Sequence, residues 1–143
     1  MKIFNEEFLS KVLYFSDIEN DKDFLNRVMS ETVRISSDTS LSSGRSTEKI
    51  RQNVLQGLAL EYLIAKNHNS LFVSADKIHD LCHNLTGEFV EVKAYSTVDS
   101  DDKWILKNTE YLRNSKINKS KYMIVYTYDY FEKSYKYLTL INI

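Results

Sequence analysis

Apolar residues recur at helical spacing through the first half of the chain, and this pattern predicts three helices. One stripe lies in residues 4–15 and a second in residues 21–35. A third, longer helix begins near Ser46 and ends near residue 67. The serine-rich run at residues 36–45 buries too little apolar surface to order itself strongly. We therefore interpret it as a loop between an N-terminal helical arm and the remainder of the chain.

The periodicity changes from helical to alternating after the third helix. The remaining elements are predicted to be strands at residues 71–73, 78–83 and 89–95, a helix at residues 102–117, and strands at residues 122–128 and 135–141. This order predicts an α/β fold with a central mixed sheet flanked by helices. The expected organisation is a single domain, 1–143, with a helical extension (1–45) and a core (46–143).

Composition narrows the class of protein without naming a function. Of the 143 residues, 43% are hydrophobic and 27% are charged, the balance of a soluble globular domain. No apolar run approaches the roughly 18 residues of a membrane span, and acidic residues stand where a signal peptide would have its apolar run. The single cysteine, Cys82, excludes an intrachain disulfide and a zinc–thiolate cluster. We expect a cytoplasmic protein with no membrane partner.

Charge is distributed unevenly along the chain. Residues 103–136 carry a net charge of +5, and the rest carries -6. Such asymmetry is typical of a phosphate-facing surface, although an ordinary solvated lysine face gives the same pattern. The candidate nucleic-acid contacts are Arg45, Arg51, Lys103, Lys107, Arg113, Lys116, Lys119 and Lys121.

The strongest chemical signal is Glu91-Val92-Lys93 in the predicted third strand. Alternation along a strand puts Glu91 and Lys93 on one face. Ten residues with a glycine turn at Gly87 separate Asp80 from Glu91, so an antiparallel hairpin brings the two carboxylates opposite each other. We expect two carboxylates and an ammonium group to converge at one edge of the sheet.

That combination of groups suits divalent-metal chemistry on phosphates. Adjacent carboxylates repel each other, and a cation relieves the repulsion. Mg²⁺ prefers carboxylate oxygens and binds through one or two of them. We expect Asp80, Glu91 and the carbonyl of Val92 to hold Mg²⁺, for which Mn²⁺ can substitute, while Lys93 stabilises developing charge or orients the attacking water.

Glu61 is the third acid of interest because it lies in the most apolar part of the long helix. A carboxylate on a packing face is costly unless it is paired or binds a metal. Solvation at the margin of that face is the alternative. Gly57, one turn earlier, costs a helix about 1 kcal/mol relative to alanine. It is a candidate point of close approach to the sheet or to a phosphate.

These residues resemble the PD-(D/E)xK nuclease superfamily: a helix with Gly57 and Glu61, then Asp80 opening a hairpin, then Glu91 and Lys93. The resemblance spans roughly residues 50–141. It implies a restriction-endonuclease-like core and Mg²⁺-dependent hydrolysis of phosphodiester bonds. It also implies that Asp80 and Glu91 hold the metal, that Lys93 assists the water, and that Glu61 acts through a metal-bound water. The residue before Asp80 is histidine where the family motif has a proline that varies among members.

Other residues near the motif compete for the same roles. Asp76 is an alternative to Asp80, which is preferred because its strand pairs with that of Glu91. His79 and His83 share one strand face, opposite to Asp80, and are interpreted mainly as surface imidazoles. Cys82 is interpreted as a small core residue.

The sequence therefore favours a metal-dependent endodeoxyribonuclease acting on DNA. The alternatives are a non-catalytic nucleic-acid- or protein-binding module on the same fold and an RNA nuclease. One chain has one active centre, so cleavage of both strands requires a homodimer. The predicted helices in residues 4–35 provide either the dimer surface or a cap on the sheet.

Overall fold

The computed structural model of the chain describes residues 10–68, 70–74, 80–97 and 120–142, together with Lys103 and Lys107. These residues form three α-helices and a single mixed sheet of six strands, which confirms the predicted α/β class. The helices are α1 (Lys22–Ser36), α2 (Thr39–Ser42) and α3 (Thr47–Asn67). The strands are β1 (Leu13–Tyr14), β2 (Leu71–Val73), β3 (Leu81–His83), β4 (Phe89–Ser96), β5 (Ser120–Asp129) and β6 (Ser134–Asn142).

Side-chain caps fix where the two long helices begin. The Asp21 carboxylate accepts a hydrogen bond from the Phe24 N–H at 2.9 Å, and α1 starts at the next residue. The Ser46 hydroxyl accepts from the Lys49 N–H at 3.2 Å at the start of α3. Each cap satisfies a backbone donor that has no partner within the helix. Both starting points were predicted from the sequence.

The helix predicted for residues 4–15 is wrong where the structure describes that segment. Leu13–Tyr14 form β1, which pairs antiparallel with β6, and the Phe15 N–H donates to the Lys133 carbonyl at 2.9 Å. A 3-10 turn, Phe15–Asp17, follows. Leu13 is buried and Tyr14 is exposed, an alternation that a strand satisfies as well as a helix. Residues 1–9 lie outside the described part of the chain.

The serine-rich segment also differs from the prediction. We expected a loop over residues 36–45, and it contains the short helix α2. The Asp38 carboxylate accepts hydrogen bonds from the backbone N–H groups of Ser40 and Leu41, which is why the chain turns into a helix there.

The sheet has the strand order β1-β6-β5-β4-β3-β2, in which only β4 and β5 run parallel. The strands predicted at 71–73, 89–95, 122–128 and 135–141 are present, and the one predicted at 78–83 is seen as β3. Residues 75–79 lie outside the described part. So does the helix predicted at 102–117, except that Lys103 and Lys107 have helical backbone.

Two apolar clusters cover the two faces of the sheet. On one face α3 packs against the strands, and we call this cluster the helix-side core. Its members include Leu58, Leu60, Leu63, Ile64, Leu81, Val90, Ile124 and Tyr126, with Val92 and Ala94 packed against it. The far-side cluster contains Met123 and Val125, packed with Tyr95, Leu138 and Ile141. Burying one such aliphatic side chain contributes about 1.5–3 kcal/mol, so α3 is held firmly over the strands that carry the candidate site.

The N-terminal helix and the last strand are tied to α3. The rings of Phe24 on α1 and Tyr62 on α3 lie 5.7 Å apart, edge to face. The Tyr135 hydroxyl on β6 donates to the Gln56 carbonyl at 2.6 Å. Residues 10–36 thus pack into the same body as the sheet. Among the helices described, none has the length and apolar character needed to span a bilayer.

Candidate active site

The turn between β3 and β4 is organised by His83. Its side-chain Nδ1 accepts hydrogen bonds from the Leu85 and Thr86 N–H groups at 3.3 and 3.2 Å, and its backbone N–H donates to the Glu88 carbonyl at 2.8 Å. Gly87 has a φ of 71°, a conformation that glycine adopts without strain. His83 is 2% exposed, so it is a buried residue of the turn and not a surface imidazole.

This turn sets the register between β3 and β4. Leu81 pairs with Val90 and Cys82 with Phe89. Asp80 directly precedes β3, and Glu91 directly follows Val90 on β4. Where β3 begins, the Asp80 Oδ2 accepts a hydrogen bond from the Val92 N–H at 2.8 Å. The carboxylate therefore lies directly against the β4 backbone.

Glu91 and Lys93 project from the far side of the sheet. They alternate with Val90 and Val92, which belong to or pack against the helix-side core. In β5 their partners are Met123 and Val125, the far-side cluster. Glu91 is only 4% exposed, whereas Lys93 is half-buried. The predicted shared face of Glu91 and Lys93 is present.

Glu61 approaches the same region from α3, on the opposite side of the sheet. Burial raises the pKa of the Glu61 carboxyl well above its ordinary value, and the Asp80 carboxylate raises it further. Arg27 on α1 lowers this pKa, while Glu91 and Glu31 raise it. Asp80 and Glu91 are thus both close enough to act on Glu61 through the electric field.

The three carboxylates do not form one compact metal-binding cluster. Among the described residues there is no group of three His, Cys, Asp or Glu side chains spaced to hold a metal ion. Asp80 and Glu91 both act electrostatically on Glu61. One or two carboxylates are the protein ligands that Mg²⁺ ordinarily uses, so Asp80 and Glu91 suit such an ion by their donor chemistry.

Two charged residues of α1, Arg27 and Glu31, act on Glu61 and were not among the predicted site residues. The Arg34 Nη2 is 2.7 Å from the Glu31 Oε2, and the Arg27 Nε is 3.7 Å from the Glu31 Oε1. Arg27 and Glu31 both act on the pKa of Glu61. Their spacing of three and four residues is visible in the sequence, but it does not tell which face of α1 turns towards α3.

The predicted basic contacts are distributed over several environments. The Arg45 guanidinium donates to the carbonyls of Leu41 and Ser42 at 2.9 and 3.0 Å, so it caps the end of α2. Arg51 lines a groove between α1 and α3. Lys103 and Lys107 are exposed, and Lys121 lies in β5. Outside the described residues lie Arg113, Lys116 and Lys119, as do Asp76 and His79.

Gly57 does not mark a close approach to the described strands of the sheet. A Cβ atom built on this residue meets no atom within 4 Å in the described part of the chain. The suggested contact of Gly57 with the sheet is therefore wrong.

Comparison with known proteins adds no relative to this picture. A scan against protein-family models, a search of curated proteins and a search of solved structures each found no match for the chain. The function is therefore inferred from the side chains of this chain.

Proposed function

We propose that this chain is a divalent-metal-dependent endonuclease that hydrolyses phosphodiester bonds in DNA, on a restriction-endonuclease-like core of the PD-(D/E)xK type. The observation that carries the proposal is the hydrogen bond from the Val92 N–H to the Asp80 Oδ2, which holds this carboxylate against the strand that carries Glu91 and Lys93. Two carboxylates and an ammonium group in this arrangement match the chemistry of phosphodiester hydrolysis.

The order of elements supports the core assignment. α3 carries Glu61 and is followed by three antiparallel strands, β2, β3 and β4, and later by β5. The family order also has a helix between β4 and β5, which falls mostly on residues outside the described part of the chain. The acid of the hairpin directly precedes β3, and Glu-x-Lys lies inside β4. No known relative supports the assignment of a restriction-endonuclease-like core, so a nucleic-acid cleavage assay has to test it.

Each residue has a separate role in the proposed reaction. Asp80 and Glu91, with the Val92 carbonyl, would hold Mg²⁺ or Mn²⁺, which would supply polarisation of the phosphate and a more acidic water. Lys93 would stabilise the negative charge that develops on the phosphate oxygens. Glu61, whose pKa is raised by burial and by Asp80, would contribute through a water bound to the metal.

Exposed lysines are proposed to hold the DNA backbone beside this site. Lys103 and Lys107 are one helical turn apart and both exposed, so they present two positive charges to one phosphate strand. Because phosphate contacts carry little sequence information, we expect weak sequence preference and a strong dependence of DNA affinity on salt.

The test is a cleavage assay on supercoiled plasmid, single-stranded DNA, branched DNA and RNA with Mg²⁺, Mn²⁺ or EDTA. We expect metal-dependent nicking of DNA that Lys93→Ala abolishes. Lys136→Ala is the matched control, because Lys136 is an exposed lysine on β6, away from the site. Preferential digestion of RNA would replace the DNA assignment, and intact nucleic acid under all conditions would overturn the nuclease proposal.

A non-catalytic binding module on the same fold is the second candidate. The positions of Glu61 and Glu91 favour it, because these two residues lie on different faces of the sheet. Calorimetric titration with Mg²⁺ separates the two. A nuclease gives binding heat that Asp80→Asn removes, whereas a module binds its partner equally well in EDTA and gives no metal heat with either protein.

A further inference from the structure

Helix α1 has a second apolar side in addition to the one that packs on α3. Phe24, Val28 and Thr32 are buried against the body of the protein. Leu25, Met29 and Val33 are 42%, 63% and 61% exposed. Their spacing of four residues places them in one stripe along the helix, here called the α1 stripe. A surface helix ordinarily carries polar residues at such positions.

The α1 stripe borders a groove of about 300 Å³ between α1 and α3. Its walls are the stripe itself together with Val28 and Thr32, and Arg51 lies at its rim. A continuous apolar stripe beside an apolar groove is a surface that a second helix can fill, with ridges of one helix in the grooves of the other.

We propose that the α1 stripe is the contact through which two copies of this chain pair, α1 against α1, in antiparallel orientation about a two-fold axis at Met29. Leu25 and Val33 are equidistant from Met29 along the helix, so this axis places each Leu25 against Val33 of the partner subunit. An isologous two-fold contact is the commonest arrangement of homo-oligomers. The inference goes beyond the proposed nuclease activity and does not depend on it.

The charges around the α1 stripe are complementary to those of a second copy of the chain in antiparallel orientation, and they support such a copy as the partner in the groove. The start of α1 is acidic, with Glu19, Asp21 and Asp23 against Lys22. Phe24, near the start of α1, packs on Tyr62, near the end of α3, so the two helices run in opposite directions. Arg51, near the start of α3, therefore lies towards the end of α1. Antiparallel pairing brings the acidic start of one helix towards Arg51 of the partner subunit, whereas parallel pairing places the two acidic starts together.

The length of the contact sets the expected affinity. A helix of 15 residues is about 22 Å long. A helix pair of this length buries less than the roughly 1,200 Å² of a standard stable interface. We therefore expect dissociation in the micromolar range, so that the dimer forms at high protein concentration.

The first test is sedimentation equilibrium of the full chain between about 1 and 300 μM. We expect a monomer–dimer equilibrium that Met29→Lys shifts at least tenfold towards monomer. Leu85→Lys is the matched control, since Leu85 is 75% exposed but lies on the β3–β4 turn. A monomer at every concentration overturns the proposal, as does a Met29→Lys variant that dimerises like the original chain.

The second test locates the axis by disulfide cross-linking in a Cys82→Ser background, which removes the single native cysteine. Met29→Cys should cross-link with itself under mild oxidation. Leu25→Cys should cross-link with Val33→Cys in a mixture, but not with itself. Self-cross-linking of Leu25→Cys would indicate a parallel pair and contradict the arrangement. Absence of all these cross-links, as expected if the groove binds another protein, would also overturn it.

Discussion

Asp80 has two roles in this account, and substitution can separate them. It is a hydrogen-bond acceptor for the Val92 N–H at 2.8 Å, which is a structural role. It is also a proposed metal ligand beside Glu91. Asp80→Asn keeps an oxygen at the position of the acceptor and removes the charge, whereas Asp80→Ala removes both.

The hydrogen bond gives the magnitude for stability without metal. Asp80→Ala leaves the Val92 N–H without its acceptor, at a cost of about 1–3 kcal/mol to the free energy of unfolding. Asp80→Asn exchanges a charge-assisted bond for a neutral one, a loss of about 1 kcal/mol. Removing a carboxylate that repels Glu61 offsets part of that loss. We expect the asparagine variant to unfold within about 1 kcal/mol of the original chain, and the alanine variant clearly lower.

Asp80→Asn should resemble the original chain in its stability without metal, but it should differ clearly once metal and substrate are present. Mg²⁺ at about 100 times its dissociation constant stabilises a binding protein by about 2.7 kcal/mol, and neither variant should gain this. Both should lose about 100-fold or more in cleavage rate. Urea unfolding with EDTA or Mg²⁺, alongside plasmid nicking, measures both quantities. If Asp80→Asn gains the same stability from Mg²⁺ and cuts at the original rate, Asp80 is only a structural acceptor and the metal-site reasoning is refuted.

Three further predictions concern the free energy of unfolding. Glu61 has a folded-state pKa above its ordinary value of 4.5, so the free energy of unfolding without metal should fall as pH rises from about 4.5 through the folded-state pKa. Glu61→Gln should remove this fall, which urea unfolding at pH 4 and pH 8 measures. The same dependence on pH in the variant and in the original chain would contradict this prediction. Gly57→Ala should raise the free energy of unfolding by about 0.5–1 kcal/mol, because the added Cβ meets no described atom; a lower melting temperature would show a hidden contact. Tyr135→Phe should cost about 1–2 kcal/mol by removing the 2.6 Å hydrogen bond to the Gln56 carbonyl, and no loss in urea unfolding would show that this bond does not tie β6 to α3.

The parts of the fold that could be predicted are those determined by neighbours in the sequence. α1 and α3 begin where Asp21 and Ser46 cap them, because a cap acts within three residues. The register between β3 and β4, with Leu81 opposite Val90, follows from the turn at Gly87. Short-range chemistry fixed these features, so the alternation and turn signals were sufficient.

The parts that could not be predicted depend on distant segments. Leu13–Tyr14 pair with β6, more than 100 residues away in the chain, and no local pattern announces that partner. The rotation of α1 about its axis decides that Arg27 and Glu31 act on Glu61 while Met29 faces outward. That rotation is set by packing on α3, so the electrostatics of the site and the α1 stripe emerge only from the folded structure.

The position of Glu61 is an intermediate case. Its apolar surroundings in the sequence indicated a carboxylate whose charged form is costly, and burial does raise its pKa. The alternation of β4 was known as well, but which face α3 covers was not. In the structure Glu61 lies on α3, which covers the helix-side core, whereas Glu91 alternates with Val90 and Val92 of that core and lies on the other face.

The central claim is that Asp80 and Glu91 hold a divalent ion at the start of β3. It is tested most directly by adding Mn²⁺ at less than one equivalent to the ¹⁵N-labelled chain and measuring which backbone amide signals broaden. The account predicts that the amides of Glu91, Val92 and Lys93 broaden first, and that Asp80→Asn removes the effect. Uniform broadening, or selective broadening elsewhere on the protein, would contradict it.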